Sequence, residues 1–127
     1  MGINLNRKLI QLMNPMSKIL TVLSLVILLS GFQLIKTTLH ITVRDELGNI
    51  AEGATVQLFE TEEDYLEEKN VIAEGTTDKN GNVKLKDLKA IVYYVIVRKD
   101  DKDNSGGGER TAVLEAKRIN KVTIVIQ

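Results

Sequence analysis

The chain has no cysteine and no tryptophan, and only one proline and one histidine among its 127 residues. Without cysteine there is no disulfide scaffold and no thiolate metal site, and one histidine alone cannot build a zinc centre. Seventeen basic residues balance 17 acidic ones, so the overall charge gives no reason to expect nucleic-acid binding, which needs a concentrated basic face. Aromatic residues make up 4% of the chain, so a core must rest on Val, Ile and Leu. The length suits one domain.

Residues 1–31 have the pattern of an export segment. Arg7, Lys8 and Lys18 form a basic leader before the apolar run Ile19–Leu29, which has the length of a signal-peptide core. Cleavage after Gly31 would release a mature chain whose single domain spans residues 38–127. The first interpretation is therefore a cleaved signal peptide followed by one exported domain.

Two other interpretations of this segment stay open. An uncleaved membrane anchor over residues 19–35 would use the weaker apolar character of Phe32, Leu34 and Ile35 to approach the length of a spanning helix. A buried amphipathic helix would need a polar face, which Ile19–Leu29 lacks. Phe32 stands where a lipoprotein signal requires cysteine, so no thioether lipid is expected. The signal and anchor interpretations both predict an exported protein of the periplasm, outer envelope or extracellular space.

Residues 38–127 show the alternation of apolar and polar side chains that is typical of half-buried strands. Turns are expected at Asp45–Asn49 and at Asp78–Gly81, because Gly and Asn tolerate the positive φ that a reversing chain needs. The residues predicted to face the core on two of the strands are Leu39, Ile41, Val43, Tyr93, Val95 and Val97. With turn signals between short strands and no long helix after the export segment, we predict an all-β, seven-stranded antiparallel sandwich. Its strands are expected within Leu39–Val43, Ala54–Leu58, Val71–Thr77, Asn82–Leu85, Ile91–Arg98, Arg110–Ala116 and Asn120–Ile126.

An acidic segment, Thr61–Asn70, interrupts this pattern. Thr61 followed by three acidic residues is a helix N-terminal signal, so a short helix or helical turn is expected there. Two interpretations of its surface are open: a solvated excursion between strands, or an acidic surface that meets a cation or a basic partner.

A second polar segment, Lys99–Glu109, is rich in glycine and is expected to be a flexible loop with no capacity to pack. Its Asp101, Asp103 and Ser105 place oxygen ligands on alternate residues before a glycine, as in the opening of a calcium loop. Glu109 is the nearest carboxylate that could complete the set, although the position of the bidentate ligand is occupied by Ala112. A calcium site formed by Asp101, Asp103, Ser105 and Glu109 is therefore the alternative to a solvated loop.

Four motifs taken in order resemble the carboxypeptidase regulatory-like domains, which belong with transthyretin-like and collagen-adhesin B-type repeats. They are VRDELGN at Val43–Asn49, EGATVQL at Glu52–Leu58, TTDKNG at Thr76–Gly81 and YYVIV at Tyr93–Val97. The resemblance implies a prealbumin-like (Ig-like) β-sandwich in an exported bacterial protein. Catalytic relatives need several histidines, whereas this chain has only His40, which is expected to be an exposed strand residue.

These observations predict a non-catalytic exported module that binds an envelope or extracellular protein or a glycan, or that has a structural role in the bacterial envelope. No catalytic residues, no resident cofactor and no nucleic-acid partner are expected, and membrane contact is expected only through an uncleaved N-terminal segment. The alternative is a calcium-responsive module in which the metal orders Lys99–Glu109.

Overall fold

The computed structural model describes residues 15–30 and 35–127, and the chain divides after Leu34 into two compact units. The first contains helix α1, Pro15–Ser30, which includes the predicted apolar run Ile19–Leu29. Arg7, Lys8 and the expected cleavage site at Gly31 lie outside the described residues. Within those residues, no helix combines the length and apolar character needed to cross a membrane.

The second unit, Ile35–Gln127, is built almost entirely of strands. One sheet has three strands in the order β4-β1-β7, and the other has four strands in the order β3-β2-β5-β6. This arrangement agrees with the predicted all-β fold with seven strands. The elements are β1 Thr38–Asp45, β2 Thr55–Phe59, α2 Glu62–Glu67, β3 Ala73–Thr76, β4 Asn82–Leu85, β5 Tyr94–Lys99, β6 Lys102–Asp103 and β7 Ile119–Ile126.

The core lies between the two sheets and consists of the alternate side chains that the sequence predicts. The side chains of Leu39, Ile41 and Val43 on β1 are completely buried. They meet the inward residues of β2 and β5 in one cluster, and Tyr93, the largest buried side chain, lies just before β5. Complete burial of an aliphatic side chain of this size contributes roughly 1.5–3 kcal/mol, so this cluster is the main source of stability.

One pair of strands differs from the prediction of a purely antiparallel sandwich. β7 runs parallel to β1, with Thr38 opposite Ile119 and Asp45 opposite Ile126. After β6 the chain leaves the four-stranded sheet and crosses to the other one, where Arg118 accepts a hydrogen bond from the Thr38 amide at 2.9 Å. Alternation of side chains reports which face of a strand is buried, but not the direction of its neighbour, and this is why the sequence did not reveal the parallel pairing.

Two turns with the shared sequence Asp-x-x-Gly-Asn have the same hydrogen bonds. Asp45 Oδ1 accepts from the amides of Leu47 and Asn49, and Asp78 Oδ1 accepts from those of Asn80 and Asn82, all within 3.0 Å. In both turns the backbone hydrogen bond from the asparagine amide is the largest cause that lowers the pKa of the aspartate. The glycines adopt positive φ, 84° at position 48 and 76° at position 81, as the turn prediction requires.

The predicted strand Arg110–Ala116 was wrong, because only Arg110 forms a strand bridge, with Tyr94. Thr111 donates its amide to the Tyr93 carbonyl, whereas the next contact joins the Leu114 amide to the Ile91 carbonyl. The chain thus advances three residues from Thr111 to Leu114 while its partner advances two residues between Ile91 and Tyr93. The extra residue interrupts the regular strand pairing.

Helix α2 confirms the expected helix in the acidic segment. Thr61 is the N-cap, and its Oγ1 accepts from the Asp64 amide at 3.1 Å. The Tyr65 ring packs against Phe59 and Tyr94, with ring centroids 6.2 and 5.7 Å apart. The helix is therefore fixed on the outer face of the four-stranded sheet and covers part of β5.

Candidate functional site

A groove of about 190 Å³ runs along the outer face of β5, between helix α2 and the segment that follows β6. We call it the β5 groove. It brings together the two polar segments that the sequence singled out separately, Thr61–Asn70 and Lys99–Glu109. Its lining residues are Tyr65, Leu66, Glu68, Ile96, Arg98, Asp103, Asn104 and Ser105.

The α2 side of the groove combines a fixed aromatic ring with an exposed aliphatic side chain. Tyr65 is held by its ring contacts to Phe59 and Tyr94, whereas Leu66 has 69% of its surface exposed. Burial raises the pKa of the Tyr65 phenol, and the nearby Glu109 carboxylate raises it further. Tyr65 therefore stays a neutral hydrogen-bonding group at the end of a hydrophobic contact.

An ion pair between Arg98 on β5 and Glu68, the residue after α2, spans the groove. The Arg98 hydrogen bond lowers the pKa of Glu68, and the same bond raises the pKa of Arg98. Both side chains are about half exposed, so the pair contributes little to stability and remains accessible to a competing charged group. Arg98 was not among the predicted site residues. Its place on the outer face of β5, after Tyr94 and Ile96, is the signal that would have identified it.

The segment after β6 is ordered, so the expectation of a loop with no capacity to pack was wrong. Asn104 is 4% exposed, and its side chain donates to the carbonyls of Val95 and Gly108 and accepts from the Val97 amide. A side chain at Gly107 would place its Cβ only 1.9 Å from the Val125 carbonyl oxygen. One buried amide and one close backbone approach thus attach the segment to β5 and β7.

The four predicted calcium ligands occupy different environments. Asp101 lies in the exposed turn between β5 and β6 and lines a separate hollow beside Asp45. Asp103 and Ser105 line the β5 groove, where the Ser105 amide donates to Asp103 Oδ1 at 2.8 Å and lowers the pKa of that carboxyl group. Glu109 lies close to Tyr65. Among residues 15–30 and 35–127, no three or more His, Asp or Glu side chains are arranged to hold a metal ion. The calcium site stays a prediction.

His40 differs from the exposed residue that was expected. It is half-buried on the outer face of the three-stranded sheet, and its Nε2 atom is buried without a hydrogen-bond partner. Ser105, the serine that lines the β5 groove, lies in the turn after β6, which belongs to the other sheet. The groove thus contains no imidazole that could activate a serine nucleophile.

Comparison with known proteins supports the fold at a coarse level. Neither a family model nor a curated protein matches the chain. Among solved structures, the Bacillus anthracis TIE protein is similar, with a TM-score of 0.52 and 16% sequence identity. The match covers 73% of this chain but only 16% of that protein, so this chain spans a small part of its length. At this identity the likeness shows the fold alone, a two-sheet β-sandwich.

Proposed function

We propose that this chain is a non-catalytic β-sandwich module of the bacterial envelope that binds a short polypeptide segment of a partner protein in the β5 groove. The observation that carries the proposal is the exposed Leu66 side chain in the same groove as the accessible Glu68–Arg98 ion pair. Protein interfaces combine an apolar anchor with polar groups around it, and arginine is enriched among their energetically important residues.

The chemistry of the groove favours a polypeptide over a glycan. Sugar rings stack on an accessible aromatic face, but the Tyr65 ring already packs against Phe59 and Tyr94. A peptide side chain can instead contact Leu66, while a carboxylate of the same segment exchanges with Glu68 for the Arg98 guanidinium. Both Leu66 and Arg98 are accessible, so binding requires no unfolding of the sandwich.

The assignment to the carboxypeptidase regulatory-like family and to the exported compartment is part of this proposal. The motifs at Val43–Asn49 and Thr76–Gly81 support the family, because each contains an Asp-x-x-Gly turn with the same hydrogen bonds. The basic and apolar pattern of residues 1–31 supports export. Mass spectrometry of the N-terminus of the protein from its native host tests the export proposal. A chain that begins at Phe32 supports a cleaved signal peptide, and a membrane-bound chain that keeps residues 19–35 supports an anchor. An intact chain in the cytoplasmic fraction contradicts both.

Site-specific photo-crosslinking in the native host tests the groove. A benzophenone amino acid is introduced at Leu66 or, as a matched control, at Val113, whose exposure of 65% is close to the 69% of Leu66. We expect a discrete protein adduct from position 66 and none of the same mass from position 113. Adding Arg98→Ala to the position 66 variant should lower the yield, since the exposed arginine contributes to binding without stabilising the fold.

Two results would contradict the groove as a polypeptide site. One is the same adduct, in equal yield, from positions 66 and 113. The other is the absence of any protein adduct together with binding to a glycan array that Arg98→Ala abolishes, which would replace the polypeptide by a carbohydrate ligand.

A further inference from the structure

A row of basic side chains crosses the outer face of the three-stranded sheet, on the side of the sandwich opposite the β5 groove. Strand register places His40 on β1 directly opposite Lys84 on β4 and directly opposite Lys121 on β7. Side chains in such cross-strand positions are neighbours on the same face. We call Lys84, His40 and Lys121 the His40 row.

Neither lysine of this row has an acidic partner among residues 15–30 and 35–127. Seven ion pairs connect side chains within the described parts of the chain, and neither Lys84 nor Lys121 takes part in any of them. Asp78 lines the same surface. Backbone hydrogen bonds from Asn82 and Asn80 are the main causes that lower its pKa, and the nearby His40 is a further one, but Asp78 forms no ion pair with either lysine in the described part of the chain. Two lysines without an ion-pair partner among the described residues therefore flank His40, one on each neighbouring strand.

The imidazole between them has an unused polar atom. His40 Nε2 is buried and has no hydrogen-bond partner, although buried polar atoms in proteins are almost always hydrogen-bonded. His40 lines two hollows: one of about 190 Å³ that Thr42, Lys121 and Thr123 also line, and one of about 520 Å³ that Asp78 and Lys84 also line. Space and hydrogen-bonding groups thus meet on both sides of His40.

We propose that the His40 row binds an oxyanion, namely a phosphate group. Its negative charge would attract both Lys84 and Lys121, whose ammonium groups are hydrogen-bond donors without acceptor capacity. Nε2 is buried, so His40 donates a third hydrogen bond to the same group only after a rotation of its ring brings a protonated Nε2 to the surface. This site is separate from the β5 groove and does not depend on the polypeptide proposal.

Because the chain contains a single histidine, the NMR signals of its imidazole ring report on this site without ambiguity. The full chain, in a non-ionic detergent at fixed pH and ionic strength, is titrated with inorganic phosphate. We expect saturable shifts of the His40 ring signals, and binding at least tenfold weaker (a loss of about 1.4 kcal/mol or more) in Lys84→Gln/Lys121→Gln, since this variant removes both charged donors. Lys69→Gln/Lys89→Gln is the control, because it removes the same charge from positions outside the three-stranded sheet.

A second measurement identifies the source of the phosphate. Full chain and variants are mixed with phosphatidylcholine vesicles that contain or lack phosphatidylglycerol, and residues 1–34, common to all variants, contribute equally. If vesicles with phosphatidylglycerol bind more of the wild type than of Lys84→Gln/Lys121→Gln, the site recognises lipid headgroups. If the His40 ring signals shift with phosphate but the two proteins bind these vesicles equally, the site recognises a soluble phosphate compound. Ring signals that do not move with phosphate, or that move equally in Lys84→Gln/Lys121→Gln and the wild type, overturn the proposal.

Discussion

Replacing Asn104 by alanine tests whether one buried side chain attaches the segment after β6 to the sandwich. The substitution removes three hydrogen bonds: from the side-chain amide to the Val95 and Gly108 carbonyls at 2.9 and 2.7 Å, and from the Val97 amide at 2.9 Å. Val95 and Val97 are buried, so their amide and carbonyl groups cannot turn to solvent. Each buried group left unpaired costs about 1–3 kcal/mol, whereas the Gly108 carbonyl, in an exposed residue, can be rehydrated.

We therefore expect Asn104→Ala to lower the free energy of unfolding by about 3–4 kcal/mol, a large share of the roughly 5–15 kcal/mol that stabilises a typical domain. For a unit of this size, the melting temperature should fall by roughly 15–25 °C. Urea denaturation followed by circular dichroism gives the free energy, and amide hydrogen exchange shows whether Val97 loses protection first. Asp101→Ala is the control, because this exposed turn residue should change stability by no more than about 0.5 kcal/mol.

Asn104→Asp separates the hydrogen bonds from the loss of volume. The new carboxylate keeps the acceptor for the Val97 amide but faces the Val95 and Gly108 carbonyls without a donor, so folding should raise its pKa. The neutral acid fits the site better, and the variant should therefore be least destabilised below the ordinary aspartate pKa and lose stability as the pH rises. If Asn104→Ala changes stability no more than Asp101→Ala, or Asn104→Asp shows no such pH dependence, the structural role assigned to Asn104 is wrong.

Three further predictions test the turns and the loop. Gly107→Ala should destabilise the protein by more than about 1 kcal/mol in urea denaturation, because the new Cβ would meet the Val125 carbonyl oxygen; an unchanged midpoint would contradict the close approach. Folding lowers the pKa of Asp45 and Asp78 below 3.8, so their stabilisation is complete above that pH and is lost as the pH falls through the lower folded values. Asp45→Asn/Asp78→Asn keeps the hydrogen-bond acceptors but removes the charge. Its free energy of unfolding should therefore decrease less than that of the wild type between pH 5 and pH 3. Isothermal calorimetry with calcium should show no binding heat, since Lys99–Glu109 is already ordered by protein contacts; saturable heat at millimolar metal would restore the calcium-responsive alternative.

The sequence predicted the features that depend on a local pattern. Alternation at Leu39, Ile41 and Val43 identified the buried face of β1, and the Asp-x-x-Gly turns identified two chain reversals. Thr61 followed by acidic residues identified α2. In each case the residues that form the structure are within five positions of one another, so the physical cause can be read from a short window.

The features that were missed depend on residues distant in sequence. Asn104 lies in a polar, glycine-rich run that has the composition of a loop, and only its contacts to Val95 and Val97 make it a core residue. The β5 groove combines Leu66 with Arg98, which are brought together by the Tyr65 ring packing on Phe59 and Tyr94. A buried asparagine and a packed tyrosine produce no periodic pattern in the sequence. The sequence therefore indicated both polar segments that line the groove, but not that they lie next to each other in the fold.

The balance of charge over the whole chain conceals an unequal distribution between the two faces of the sandwich. Seventeen basic and 17 acidic residues cancel in the sum, but the acidic helix α2 covers one sheet. The His40 row on the other sheet includes two lysines that form no ion pair with the described residues, and Asp78 lines the same surface. A ligand bound to one face of the sandwich responds to the charges of that face and not to the net charge of the chain, because charges farther away than about 8 Å are screened at physiological ionic strength. Neutral composition therefore argues against an extended basic surface such as a nucleic-acid interface, but not against one anion on one sheet and a separate polypeptide contact on the other. The two proposed sites can accordingly be tested independently, since a substitution in the His40 row should leave crosslinking from position 66 unchanged.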